Sequence, residues 1–261
     1  MSAKKNIESV YPLSPMQRGM LFHSLYAPES GVYCTQLSCV LEGDLNHSAF
    51  EQAWQGVVDT HPILRTAFVW EGLETPVQVV GKRVTLPIER ADWREQTESE
   101  QQEQLSALLA ADQQRGFQLT KAPLMRLTLV RLSEQRHQLI WNHHHLLLDG
   151  WCLPLLLKEV FALYEGLRQG VAVQLPPSRP YKDYIAWLQQ QDLGQAESYW
   201  REKLKGFTAP TELGLERAGA ASGVEEQGAE YTEQRVKLSE AATSGLQQLQ
   251  PPMVGTGCSG L

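Results

Sequence analysis

The sequence predicts an α/β fold, and three observations carry that prediction. Stretches with period-two alternation, such as LMRLTLVRL (124–132) and HQLIWNHHH (137–145), read as strands. Stretches with an apolar stripe at helical spacing, such as Phe50, Ala53, Trp54, Val57 and Val58, read as helices packed on a core. Of the 261 residues 42% are hydrophobic, enough for a core and too many for a disordered chain. The length allows one large domain or two modest ones.

The elements follow in order. Ser14-Pro15 pairs an N-cap with Pro at the first helical position, and Met16, Met20 and Leu21 continue a helix over 15–26. VYCTQLSCVLEG (32–43) is a strand with Tyr33, Thr35, Leu37 and Cys39 on one face. Asn46 caps an amphipathic helix that runs to about Asp59, and strands follow at 64–70 and 76–80. The Glu- and Gln-rich segment 98–115 is a helix with one thin stripe, Leu105, Leu108 and Leu109. The alternating segments 124–132 and 137–145 form a hairpin around Glu134. A dense apolar helix runs from Trp151 to about Leu167. GVAVQLPPSRP (170–180) is the linker, and helices near 180–191 and 193–205 come after it. A small-residue loop (214–230), a strand at 230–238 and a helix from Ser239 complete the pattern, until Pro251-Pro252 ends it. No internal repeat is present.

Charge and composition exclude several classes. A net charge of -7 gives no basic patch to neutralise phosphates, so no nucleic-acid partner is expected. No apolar run approaches the roughly 20 residues of a membrane span. The N-terminus lacks the apolar core of a signal peptide. Cys34, Cys39, Cys152 and Cys258 have no CxxC spacing and read as free thiols in a reducing cytoplasm.

The densest cluster of chemistry is NHHHLLLDGW (142–151), which holds three of the seven histidines. A metal site is not expected. Adjacent strand residues point to opposite faces, so His143 and His145 share a face that His144 cannot, and the run does not offer the ligand geometry that zinc needs. A buried histidine satisfied by a carbonyl suits His143 or His144. A histidine at a strand end, beside a turn at Gly150 and ahead of a helix, is well placed to face a pocket and move protons near neutral pH. Asp149, flanked by apolar residues, needs a cation if it is buried.

HHLLLDG (144–150) resembles the HHxxxDG motif of the condensation domains of nonribosomal peptide synthetases and their chloramphenicol acetyltransferase-like relatives. SPMQRGMLF (14–22), HPILRTAF (61–68) and YKDYIAW (181–187) resemble three further motifs of that family, in the same order. The likeness extends to about residue 250. It implies a chloramphenicol acetyltransferase-like lobe, a mixed sheet flanked by helices, over 1–175. Over 176–261 it implies a linker and the incomplete start of a second similar lobe, with an atypical tail from about 251. The later family motifs have no counterpart, so a gene fragment, a frameshift near 250 or an artificial boundary is expected.

The resemblance also implies an amide-forming acyltransferase. The amine of an acceptor aminoacyl group attacks a donor acyl or peptidyl thioester, both carried on phosphopantetheine of upstream and downstream peptidyl carrier proteins. The chain itself binds no cofactor and no metal. By the resemblance His145 is the catalytic residue, orienting the amine and accepting its proton. His144, Asp149, Gly150 and Arg65 shape the site. Asp149 pairs with Arg65 in a buried ion pair beside His145, Gly150 keeps the wall close to substrate, and His144 packs. His145, and not His144 or His143, is expected to face an open cleft. The wording YPLSPMQRGMLFHS is similar to the branch whose donor ends in a D-residue. Alone, the chain is expected to form little amide and to self-associate through exposed lobe surface. Two alternatives stand beside this reading: a non-catalytic remnant that at most binds a carrier protein, and part of an epimerisation domain, which shares HHxxxDG.

Overall fold

The computed structural model describes residues 6–209 and 237–248. The elements in order are β1 (Ile7–Pro12), α1 (Pro15–Tyr26), β2 (Cys34–Glu42), α2 (His47–Thr60), β3 (Thr66–Val69), β4 (Val77–Gly81) and β5 (Ile88–Asp92). They continue with α3 (Glu98–Arg115), β6 (Met125–Ser133), β7 (Arg136–His144), α4 (Cys152–Gln169), α5 (Tyr181–Leu188), α6 (Leu193–Lys203) and α7 (Glu240–Gln248). Two compact units divide the chain, Met1–Ala196 and Glu197–Leu261. Among the described residues no helix is long and apolar enough to cross a membrane.

In the first unit two sheets form. The larger has strand order β2-β7-β6-β5, and the smaller β1-β4-β3. β2, β7 and β6 are antiparallel neighbours while β5 runs parallel to β6, so the larger sheet is mixed. Local chemistry sets the helix starts. Ser14 and Gln17 exchange a reciprocal capping box over Pro15, Asn46 Oδ1 accepts the Ala49 N–H, and Thr97 and Glu100 form a second box. Each such cap is worth about 1 kcal/mol.

The core lies between the sheet and the α2–α4 pair. The predicted stripe of α2, Phe50, Ala53, Trp54, Val57 and Val58, is buried. Trp54 meets Trp141 of β7 edge to face at 4.9 Å. Tyr164 of α4 stands edge-on to Phe50 and accepts the Asn46 N–H through its hydroxyl at 3.0 Å. The other face of the sheet is held differently. The predicted leucines of α3 are only half-buried, and the one buried residue of that helix is Asp112. Asp112 Oδ1 accepts from Arg126 Nε of β6 at 2.5 Å, with both side chains more than nine-tenths buried. Asn142 of β7 donates to the other Asp112 oxygen, and the Gly116 carbonyl takes a second guanidinium N–H at 2.7 Å.

Two strands were not foreseen. β1 is short and ends in a proline, and β5, IERAD, carries three charges in five residues. Neither has a clear local pattern, and each exists because a neighbouring strand offers it hydrogen bonds. The strand expected at 230–238 lies mostly outside the described residues. In the second unit the expected helix from Ser239 is present as α7, with Ser239 Oγ accepting the Ala242 N–H.

Candidate functional site

β7 carries the three histidines to the end of the sheet. His143 lies opposite Thr35 and Met125, and His144 opposite Cys34. Strand alternation sends His143 to the Trp141 side, ring centroids 5.1 Å apart, and His144 to the side of Ser24, Tyr33 and Phe117. The pairing runs one residue past the strand: the His145 N–H donates to the Tyr33 carbonyl at 2.9 Å. Leu146, Leu147 and Leu148 then fold into the core, which accounts for the leucine run.

His145 alone of the three is partly exposed, and His143 and His144 are buried. The small pocket of about 100 Å³ at this end of the sheet is nevertheless lined by His144, with Ser24, Tyr33, Cys34 and Phe117. His144 points to the opposite side of the sheet from His145 and is buried against that pocket, while His145 stays the partly exposed one. His145 Nδ1 sits 3.0 Å from the Leu148 carbonyl. A carbonyl only accepts, so Nδ1 carries the proton and Nε2 keeps its lone pair in the neutral ring. His144 Nδ1 accepts the Leu146 N–H at 3.1 Å, which puts its proton on Nε2, facing Ser24 Oγ.

Burial pushes the His143 and His144 imidazoles down to about 4, with the neighbouring histidines adding to the shift. Both rings are therefore neutral around His145 at pH 7. The unfolded chain takes up these protons first, near the ordinary value of about 6.5, so stability present above that pH is lost as pH falls toward about 4. Urea unfolding should show a falling midpoint across that window. His143 adds a second expectation, because both its ring nitrogens are buried without a hydrogen-bond partner. Replacing an unsatisfied polar group by an apolar one of similar shape is near neutral or stabilising. His143→Phe should match or exceed the parent stability at pH 7 and lose less of it in acid. A drop of more than about 1 kcal/mol at pH 7 would show that the ring nitrogens are in fact paired.

One expected site feature is corrected. Arg65 is buried, but it does not pair with Asp149. Its Nη1 meets Glu8 Oε2 at 2.6 Å and also the Gly81 carbonyl, and its Nε donates to the Val58 carbonyl at 3.2 Å. Arg65 thus ties the end of α2 to β1 and β4. Asp149 is exposed and needs no cation, because Oδ1 accepts the Trp151 N–H at 3.0 Å and the Cys152 N–H at 3.1 Å at the start of α4. The Cys152 thiol and those N–H groups hold the Asp149 carboxyl below the usual range. Gly150 is not a positive-φ position, and a Cβ there would meet no atom within 4 Å, so no contact within the described residues demands glycine there. No group of three or more His, Cys, Asp or Glu is placed to hold a metal among the described residues.

Gln17 is the residue that sequence reasoning missed. It is buried on α1, and its Nε2 donates to the Leu146 carbonyl at 3.0 Å, just past His145. Gln78 braces it, donating to Gln17 Oε1 at 3.0 Å and to the Pro12 carbonyl at 3.0 Å. The only available signal was a glutamine three residues after a cap, which reads as a capping box and nothing more. Gln17→Ala should lower stability by about 1–3 kcal/mol, because the Leu146 carbonyl loses its donor and Gln78 its acceptor. A thermal midpoint unchanged from the parent would mean that the loop is held without it.

With this geometry in hand, known proteins place the chain. The family model for the condensation domain matches residues 7–253. One of the linear gramicidin synthase subunits of Brevibacillus parabrevis is 48% identical over 247 residues, covering 95% of this chain and 3% of that protein. Surfactin synthase subunit 3 of Bacillus subtilis (strain 168) is 36% identical, covering 95% of this chain and 19% of that protein. The chain is therefore a small part of the length of these relatives. Among solved structures, the starter condensation domain of rhizomide synthetase RzmA has a TM-score of 0.69 at 24% identity, over 78% of this chain and 50% of that one. The first condensation domain of the calcium-dependent antibiotic synthetase has a TM-score of 0.66 at 18% identity, over 79% of this chain and 50% of that one. These two carry the same mixed-sheet α/β fold as the first unit. The chain belongs to the condensation-domain family.

Proposed function

We propose that the loop after β7 is the reaction centre for amide bond formation in nonribosomal peptide synthesis. A donor acyl or peptidyl thioester and an acceptor aminoacyl amine, both on phosphopantetheine arms of peptidyl carrier proteins, react at His145 in the cytoplasm. The observation that carries this reading is the state of His145. It is partly exposed, and Leu148 holds its Nδ1, so a lone pair at Nε2 is left for a proton.

The chemistry follows from that lone pair. An unperturbed α-amine titrates at about 7.7–8, and the electron-withdrawing thioester beside the acceptor amine lowers that value, so much of the acceptor is already nucleophilic. Attack on the thioester carbonyl forms the C–N bond and develops an ammonium and an oxyanion together. His145 Nε2 takes the ammonium proton, the C–S bond breaks, and the thiolate leaves and is protonated. Holding two tethered substrates in line contributes more than proton transfer does, since proximity supplies about 7–11 kcal/mol in favourable cases. His145 is thus an orienting group and proton acceptor. His144 packs on the opposite face of the sheet, Asp149 starts α4, and Arg65 braces the far end of α2. A donor ending in a D-residue and self-association belong to the same proposal. Exposed Met16, Phe22, Tyr26, Trp151 and Leu155 support the latter. The test is the purified chain with donor- and acceptor-loaded carrier proteins, beside its His145→Ala variant. Alone, the chain is expected to form little amide, and what it forms should be lost in the variant; product formed equally by both would overturn the reading.

A further inference from the structure

A second hydrogen-bonded cluster lies in the first unit and shares no residue with the His145 loop. His61 closes α2, its backbone N–H donating to the Val57 carbonyl. Its Nε2 lies 2.5 Å from Glu159 Oε2 of α4, and the two side chains are 15% and 16% exposed. Its Nδ1 faces Ser178 Oγ at 3.3 Å. Ser178 is exposed in the linker between α4 and α5, and Pro176, Pro177 and Pro180 restrict the backbone around it. Glu159 Oε2 accepts the Nε2–H hydrogen bond of the neutral ring, so Nδ1 holds the lone pair and the Ser178 hydroxyl donates to it. A hydroxyl, a base within reach of it, and a carboxylate that orients the base are the parts of an activated nucleophile.

We propose that Ser178 is an acyl-accepting site, with His61 as its general base and Glu159 as the residue that sets the tautomer and stabilises the imidazolium. The acyl donor is a reactive ester or thioester. Ser178 Oγ bonds to the carbonyl carbon, and the C–O or C–S bond to the leaving group breaks. The hydroxyl proton passes to His61 Nδ1 and then to the departing oxygen or sulfur. The acyl group stays on Ser178, so one acylation per chain is the event, and no turnover is required.

The experiment incubates the folded chain with p-nitrophenyl acetate, follows p-nitrophenolate release, and maps the acetyl group by peptide mass spectrometry. Acetylation at Ser178 should run about 100-fold faster than at the same serine in the urea-unfolded chain, the lower end of what a positioned base supplies. Ser178→Ala should remove the adduct, and because the residue is an exposed linker position the variant keeps its fold. His61→Gln should bring the rate down to that of the unfolded chain. Glu159→Gln should slow it by about tenfold or more, and it decides the matter if His61→Gln fails to fold. A Ser178 rate no faster than in the unfolded chain, or unchanged in Glu159→Gln, would overturn the proposal and leave the cluster as a clasp that holds the linker.

Discussion

Asp112→Ala is expected to destabilise the first unit by about 3–5 kcal/mol, the range for removing one partner of a buried ion pair. The substitution leaves the Arg126 guanidinium buried among carbonyls, with the Gly116 carbonyl as a neutral partner. It also strips the Asn142 amide of its acceptor. The loss falls on the contact that seats α3, since that helix buries no other residue. Replacing both members, Asp112→Leu with Arg126→Met, should recover most of the loss, because a well-packed apolar pair is often neutral relative to an ion pair. Chemical denaturation of the three chains measures this. A single variant within about 0.5 kcal/mol of the parent would show that the pair is solvated in solution and that α3 docks through its half-buried leucines.

His145→Ala is expected to slow amide formation by about 100-fold or more, the lower end of the range for a positioned acid–base group. The lower end applies because the adjacent thioester lowers the pKa of the acceptor amine, leaving much of it free at neutral pH, and because substrate alignment survives the substitution. Acceptors of weaker basicity should lose less, as their ammonium gives up its proton more readily. His144→Ala should act mainly on stability, by enlarging the pocket beside Ser24 and Phe117. The carrier-protein assay across several acceptors separates the two. Equal losses in both variants would mean that His145 acts through packing, not through its lone pair.

What the sequence disclosed was local. The α1 start is written in Ser14-Pro15, the β6–β7 hairpin in alternation, and the α2 stripe in five apolar positions, so each was readable within a short window. The His145 loop was legible as chemistry because the three histidines are contiguous. Its support was not. Gln17 reaches Leu146 across 129 residues, and Arg65 turns toward Glu8 across 57. Nothing in the residue order ranks Glu8 above Asp149 as a partner for that arginine. The choice is made by where the end of α2 meets β1 and β4, and by the α4 N–H groups that already satisfy Asp149. β5 escaped notice for the same reason, since a parallel edge strand has no partner near it in sequence.

The way the His145 loop is fastened has a consequence for its motion. Its own N–H is bonded to Tyr33, Leu147 N–H to the His144 carbonyl, and the Leu146 peptide is held on both sides, by His144 Nδ1 and by Gln17. Three buried leucines plug it from beneath. Swinging this loop outward requires breaking β2–β7 pairing and exposing core, so its amide protons should exchange with solvent only in step with those of the central strands. The imidazole is then a fixed point, and in the proposed reaction the tethered reactants would have to be brought to it rather than the loop to them.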